Sequence, residues 1–367
     1  MTKRFSLQTS VLWLLLALFC FATPQTFAKK KKQKEQPSSG MVIATDYMTP
    51  DTLTDVTDAL QRLIDENPNR TIYLPDGTYC VSRSILTPAH PLRSVHLVLA
   101  NYAKIKAIGP WTEGGAVVRL GAKDKANDIR TPGSNYGFTG GIIDGSGVAD
   151  GISIDGGRET RIMEVSIKHV RIGVHIKHGA NGDSSDSDIE NINIVGNDTP
   201  QSIGVLVEGF DNTIRNMRIA SVNVGVWVKS GGNSLRDIHP LYIQRHIQDY
   251  PSSIGFRIDE TNNWLSFCYS DQMATAFQLG RGVEVHLTDC FCYWYSGKTP
   301  FQRFIATEGP LNSVVIGPKV QFHNDCPDVT YLVAEPGGHG HILFPSGHQN
   351  RPVSNPADAW NHYIVDK

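Results

Sequence analysis

Apolar residues in the middle of the chain recur in short alternations, not at helical spacing. In residues 203–223, IGVLVEGFDNTIRNMRIASVN, Val205 and Val207 alternate after a glycine, and Ile214, Met217 and Ile219 follow around Asn216. A polar turn, Glu208–Asn212, separates the two groups. Such alternation bounded by polar turns predicts two short strands. The phrase then recurs: GISI at Gly151, GVHI at Gly173, GVLV at Gly204, GVWV at Gly225 and GFRI at Gly255, with a weaker AFQL at Ala276. The starts lie 22, 31, 21, 30 and 21 residues apart, and the extra length falls in the turns. Repetition at this period predicts a solenoid, whose units bury a shared core only by stacking.

One stretch departs from the alternation. In Thr52–Asn67, Val56, Ala59, Leu60, Leu63 and Ile64 recur at helical spacing, with Asp55 or Thr57 as cap and Pro68 as stop. Strands are expected at Thr71–Leu74 and Tyr79–Val81, around the turn Pro75-Asp76-Gly77. An amphipathic helix at this point can cover the open end of a first coil.

The phrase DALQRLIDENPNRTIYLPDGTYCVSRSI (Asp58–Ile85) resembles the opening of the pectate lyase superfamily, and GGIIDGSG (Gly140–Gly147) is similar to a phrase common in it. The resemblance runs roughly from Asp51 to Phe344. It implies an all-β fold, a single-stranded right-handed parallel β-helix with an N-terminal capping α-helix. That superfamily holds polysaccharide lyases, hydrolases, epimerases, phage tailspikes and non-enzymes, so it is specific for architecture and weak for reaction.

The N-terminus reads as a targeting segment. Lys3 and Arg4 precede the 12-residue apolar run Val11–Ala22, and Thr26-Phe27-Ala28 closes it. This is the pattern of a secretory signal peptide over residues 1–28. Cys20 follows bulky Phe19, which argues against lipid attachment. Residues 29–40 form a basic, disordered linker, 41–350 the β-helix, and 351–367 a polar tail whose Trp360–Tyr363 cluster can pack on the last coil. Export to the periplasm, cell surface or medium is expected, with no stable membrane insertion after cleavage, since no second apolar run is long enough to span.

A formal net charge of −2 gives no reason to expect a nucleic-acid partner. After the leader, five cysteines remain, Cys80, Cys268, Cys290, Cys292 and Cys326. Their odd number and wide spread suggest buried thiols, not a disulfide framework. No cofactor is required. Asp183, Asp186 and Asp188 carry carboxylates in the alternation that can hold Ca²⁺, but without the glycine of a calcium loop.

Stacking the coils about 4.8 Å apart turns sequence positions into columns. In the glycine phrase the second and fourth residues point inward. The third (Ser153, His175, Leu206, Trp227, Arg257, Gln278) and fifth (Asp155, Lys177, Glu208, Lys229, Asp259, Gly280) point outward. The fifth column alternates in charge, as a structural ladder should. It also sets Glu208 and Asp259 two coils apart, roughly 9–10 Å between backbones, near the upper end for an inverting carboxylate pair. Trp227 lies between them as a stacking platform, and Arg257 can hold a uronate carboxylate. A second set of columns has a polar ladder, Glu164, Asn191, Asn216, Asp237 and Asp289, expected to be structural. Beyond it Arg218, His239, Tyr269 and Asp271 gather on an outer face, an acid–base constellation. Trp294 is expected beside them as a sugar platform.

With the resemblance, these columns point to an enzyme cleaving an acidic, uronate-containing polysaccharide. Hydrolysis would use Asp271, Asp259 and Glu208, with His239 as proton carrier and Arg218, Arg257, Trp227, Tyr269 and Trp294 holding the sugar. Elimination, with His239 or Tyr269 as base, and non-catalytic glycan binding are the alternatives.

Overall fold

A computed structural model describes residues 40–88, 93–111, 115–121, 123, 137–179, 182–242, 252–295, 301–323, 326, 329–347 and 363–365. The leader and residues 29–39 of the linker fall outside these residues, as does most of the tail. Among the described residues no helix is long and apolar enough to cross a membrane.

The glycine phrases form a continuous sheet, from Ile85–Leu86 to Val329–Glu335, in which each coil's strand pairs in parallel with the next. The register is the one the alignment gives: His175 beside Leu206, Leu206 beside Trp227, Trp227 beside Arg257. Val205, Val207, Ile214, Met217 and Ile219 are all fully buried. Phe256 and Phe277 stack inside the coil with centroids 5.0 Å apart, and Phe304 meets Phe277 edge-on at 5.5 Å.

Each coil has three faces where the sequence suggested two. Thr213–Ala220 pairs along its length with Asp188–Gly196 and Ser234–Leu241, yet it bends at Asn216, where φ is +50°. The same left-handed bend recurs at Glu164, Asn191, Asp237, Phe267 and Asp289. The polar ladder of the sequence is therefore a column of hinges, occupied by residue types that tolerate this backbone or bond locally. Asn216 Nδ2 donates to Asn191 Oδ1 at 2.7 Å. A second, buried amide ladder escaped the alignment: Asn212 bonds to Asn233, and Asn233 to Asn263, at 2.9–3.2 Å. It satisfies buried backbone groups where the first face turns into the second.

The helix, α1, spans Thr57–Glu66. It starts five residues later than the apolar spacing suggested. Asp51 instead accepts from the backbone N–H groups of Leu53 (2.7 Å) and Thr54 (2.6 Å), a local turn that competes with helix. Leu60, Leu63 and Ile64 face the core, and the Gln61 amide exchanges two bonds with the backbone of Leu86 in the first coil. At the other end Tyr363 is buried, its hydroxyl accepting from Leu311 N and Gly338 N, and Ile364–Val365 pairs with the last coil. Cys80, Cys268, Cys290, Cys292 and Cys326 are all buried, and none is in a disulfide among the described residues.

Candidate functional site

The predicted site residues separate onto two outer faces and the interior. Trp294 is in the interior. Its side chain is 1% exposed and its indole N–H donates to Met273 O at 2.7 Å. The expectation of a surface platform there is corrected: the alternation in Phe291–Trp294 points Trp294 inward, and Phe291 and Tyr293 outward.

The first face carries Glu208, Trp227, Arg257 and Asp259, and its charges satisfy one another. Glu208 accepts from His175 Nε2 and from Lys229 Nζ, both at 2.8 Å. Asp259 accepts from Trp227 Nε1 at 2.7 Å and Arg257 Nε at 3.1 Å. The Arg257 guanidinium also lies over the Trp227 ring, 4.3 Å from its centroid, with Lys229 5.2 Å away. Arg119 and Asp155 extend the pairing at 2.5 Å. Leu206 and Trp227 join Ile172, Ile203, Val224 and Ile254 in an apolar cluster apart from the coil interior. The outward third column is thus partly covered: Ser153 and Leu206 are buried. Two committed carboxylates and an occupied indole leave little for a hydrolytic pair on this face.

That network has a pH signature. Burial lowers the pKa of His175, and the pull of Glu208 does not reverse it. The folded protein therefore resists a proton that the unfolded chain accepts, and stability declines as pH falls below the ordinary histidine value of 6.5. For Glu208, burial pushes upward, but bonds from Lys229 and His175 outweigh it and hold the carboxyl below its ordinary 4.5. Its contribution is complete above 4.5 and is lost only as pH falls through the lower folded value. Melting temperatures of wild type and His175→Gln across this range check the order of events. The substitution is expected to remove the upper loss and leave the lower one. Parallel curves would contradict it.

The third face brings Arg218, His239, Tyr269 and Asp271 together. Arg218 sits in register with His239, and Leu241 with Asp271, so Tyr269 lies one coil above His239. The His239 and Tyr269 rings stack with centroids 4.0 Å apart and planes 17° from parallel. Tyr269 stacks in turn on Phe291 at 4.6 Å, and Lys319 Nζ stands 5.5 Å from that ring. Asp271 Oδ2 lies 3.7 Å from His239 Nε2. Both His239 Nε2 and Asp271 Oδ1 are buried without a hydrogen-bond partner. Buried polar atoms are nearly always satisfied, so two orphans side by side make this a candidate binding place. Burial, and next the charge of Asp271, push the Tyr269 phenol well above its ordinary value, so it stays protonated.

Cations border this constellation. Lys104, Ser166, Asn193, Arg218, His239, Tyr269, Phe291 and Lys319 follow one another along the outer row, with Ile142 between Lys104 and Ser166. Lys106, Asp144 and Lys168 open the neighbouring row, which later passes through Asp271, Tyr293 and Gln321. Asp144 is 8% exposed and accepts from Ser146 N and faces His169. Arg218, Lys104, Lys106, Lys168 and Lys319 form no ion pair with a carboxylate among the described residues. Burial alone lowers the pKa of Lys168. The row from Lys104 to Lys319 covers eight coil steps, about 38 Å. Lys104 and Lys106 were not singled out in the sequence because their coil precedes the first clear glycine phrase at Gly151. The alternation AKIKA at Ala103–Ala107 was the available signal.

Asp186 is engaged by Arg158 at 2.9 Å and Ser185 at 2.7 Å, and Asp188 lies 3.6 Å from Arg215. The side chain of Asp183 is outside the described set. No cluster of three metal-ligating side chains occurs among the described residues.

No protein-family model matches the chain, and no curated protein sequence matches it. Solved structures do. ORF18 of Geobacillus virus E2 aligns with a TM-score of 0.59 at 15% identity, over 95% of this chain and 66% of that one. A double mutant of the tailspike of E. coli bacteriophage HK620, in complex with pentasaccharide, aligns at 0.64 and 13% identity over 87% and 66%. An alginate lyase from Paenibacillus sp. str. FPU-7 aligns at 0.53 and 15% identity over 81% and 97%. The fold is the right-handed parallel β-helix that these structures share. This β-helix spans just under two thirds of the length of the two phage proteins. At such identities the likeness concerns architecture alone.

Proposed function

We propose that this β-helix binds an acidic polysaccharide along its third face and cleaves it by β-elimination at His239, Tyr269 and Asp271. The observation that carries the reading is the stack of His239 on Tyr269 with Asp271 3.7 Å from His239 Nε2, beside a phenol held protonated. The alginate lyase and the tailspike solved with a pentasaccharide lend the carbohydrate reading support.

The residues divide the work as follows. Arg218, exposed one coil below His239, meets the uronate carboxylate and withdraws charge from it, which acidifies the adjacent C5–H. Asp271 faces Nε2 of His239 and favours a proton there, leaving Nδ1 to take the C5 proton. As the C4–O bond breaks, its electron pair goes to the oxygen, the C5–H pair becomes the C4=C5 double bond, and Tyr269 supplies the proton the leaving oxygen needs. The phenol recovers its proton from water and His239 releases the one it took. Hydrolysis is less well supported, because it needs a second free carboxylate and Glu208 and Asp259 are bound up on another face.

Mass spectrometry of products from a panel of uronate polysaccharides tests the reading. Elimination yields fragments whose new non-reducing end is lighter by one water than the hydrolytic fragment. Saturated products from every cleaved polymer would overturn elimination, and an intact panel would overturn cleavage.

A further inference from the structure

The hinge column contains an aromatic residue in a costly place. Its members are Glu164, Asn191, Asn216, Asp237, Phe267, Asp289, Gly317 and Phe344, all with positive φ. Asn, Asp and Gly accept that conformation, whereas a bulky aromatic pays strain for it. Burial can offset such strain, but Phe267 is 49% exposed. Three residues earlier Trp264, on the outer side of Asn263–Ser266, is also 49% exposed. The Arg236 guanidinium lies over the Phe267 ring, 5.3 Å from its centroid. Asp237 engages only the Nε of Arg236, at 3.1 Å. Phe344 shares the bend and is 61% exposed, so strain alone does not single out Phe267; what does is the exposed Trp264 and the Arg236 guanidinium beside it.

We infer that Trp264, Phe267 and Arg236 form a second saccharide-binding platform, on the second face, for the same acidic polysaccharide chain. The rings offer apolar faces to sugar rings, and the remaining N–H groups of Arg236 offer bonds to a carboxylate. Phe267 stands two residues before Tyr269, so the platform continues the third-face row around the hinge. A polymer seated at His239 and Tyr269 rounds the bend and is gripped there, while a short oligosaccharide is not. The inference rests on the acidic-polysaccharide reading.

Sodium alginate, in long chains and as a tetramer, serves as probe, with binding read by affinity electrophoresis and turnover by product formation. Trp264→Ala and Phe267→Asn are each expected to weaken long-chain binding roughly 5- to 10-fold, leaving tetramer turnover unchanged. Phe267→Asn installs the residue type that the hinge favours, so its melting temperature should hold or rise. Phe344→Asn, three coils away, should leave binding as in wild type. If wild type binds and cleaves alginate while both platform variants bind it equally well, the platform is refuted and the cleavage reading stands. A fall in the melting temperature of Phe267→Asn with binding intact makes Phe267 structural and also refutes it. If wild type neither binds nor cleaves long-chain alginate, the platform for that polymer falls together with the reading beneath it.

Discussion

His239→Gln is expected to lower kcat on a uronate polysaccharide about 10²- to 10⁴-fold while KM moves little. Glutamine occupies a similar volume and can still stack over Arg218 and under Tyr269, but it cannot accept a proton at neutral pH. A loss confined to kcat identifies a group that acts in the transition state. Tyr269→Phe is the companion test. It keeps the stack between His239 and Phe291, whose centroids lie 4.0 and 4.6 Å from the tyrosine ring, and removes only the hydroxyl. Its kcat should also fall, and the double variant should be scarcely worse than the worse single one, since proton removal and delivery serve one event. Unchanged melting temperatures for both variants separate a chemical loss from a folding loss. A His239→Gln protein with wild-type kcat would remove the third face from consideration as the catalytic centre.

Gly204→Ala carries the largest expected effect on folding. A methyl group at this position would stand 2.3 Å from Ile219 Cγ2 and 2.5 Å from the carbonyl oxygen of Gly225. The neighbouring coils repeat the geometry: a methyl at Gly173 would meet Gly204 O at 2.5 Å, and one at Gly225 would meet Gly255 O at 2.5 Å. Stacked strands cannot part locally, because each coil is fixed by the coils on both sides. The cost should be about 2–3 kcal/mol or more, seen as a melting temperature lower by roughly 5 °C or more. The glycine column ends at Ala276, aligned with Phe304 in the next coil. A Gly204→Ala protein that melts with wild type would show that the repeated glycine is not set by packing.

That column explains why so much of the fold was legible. The glycine and the two apolar residues after it are each demanded by a contact that recurs in every coil, so they recur in the sequence and give register directly. Glu208 to Asp259 was legible as a ladder for the same reason: neighbouring charges in adjacent coils satisfy one another. The third face was harder to read. Its boundary is a single backbone dihedral at Asn216 and its equivalents, and no apolar period marks a one-residue hinge. The site was half legible. Arg218, His239, Tyr269 and Asp271 fell into columns once the coils were aligned, but the alignment could not say that Glu208 and Asp259 would be bound by His175, Lys229, Trp227 and Arg257. Trp294 was misplaced because it was taken with the dense aromatics around it, although an outward Phe291 already sets Trp294, three residues on, inside.

The most direct measurement of the central claim is the initial rate of ultraviolet absorbance gain from the C4=C5 double bond, with wild type and His239→Gln on the same uronate polymer. The account predicts a steady rise with wild type and a rate at least about 100-fold lower with the variant. Equal rates, or polymer shortening without any absorbance gain, would contradict it.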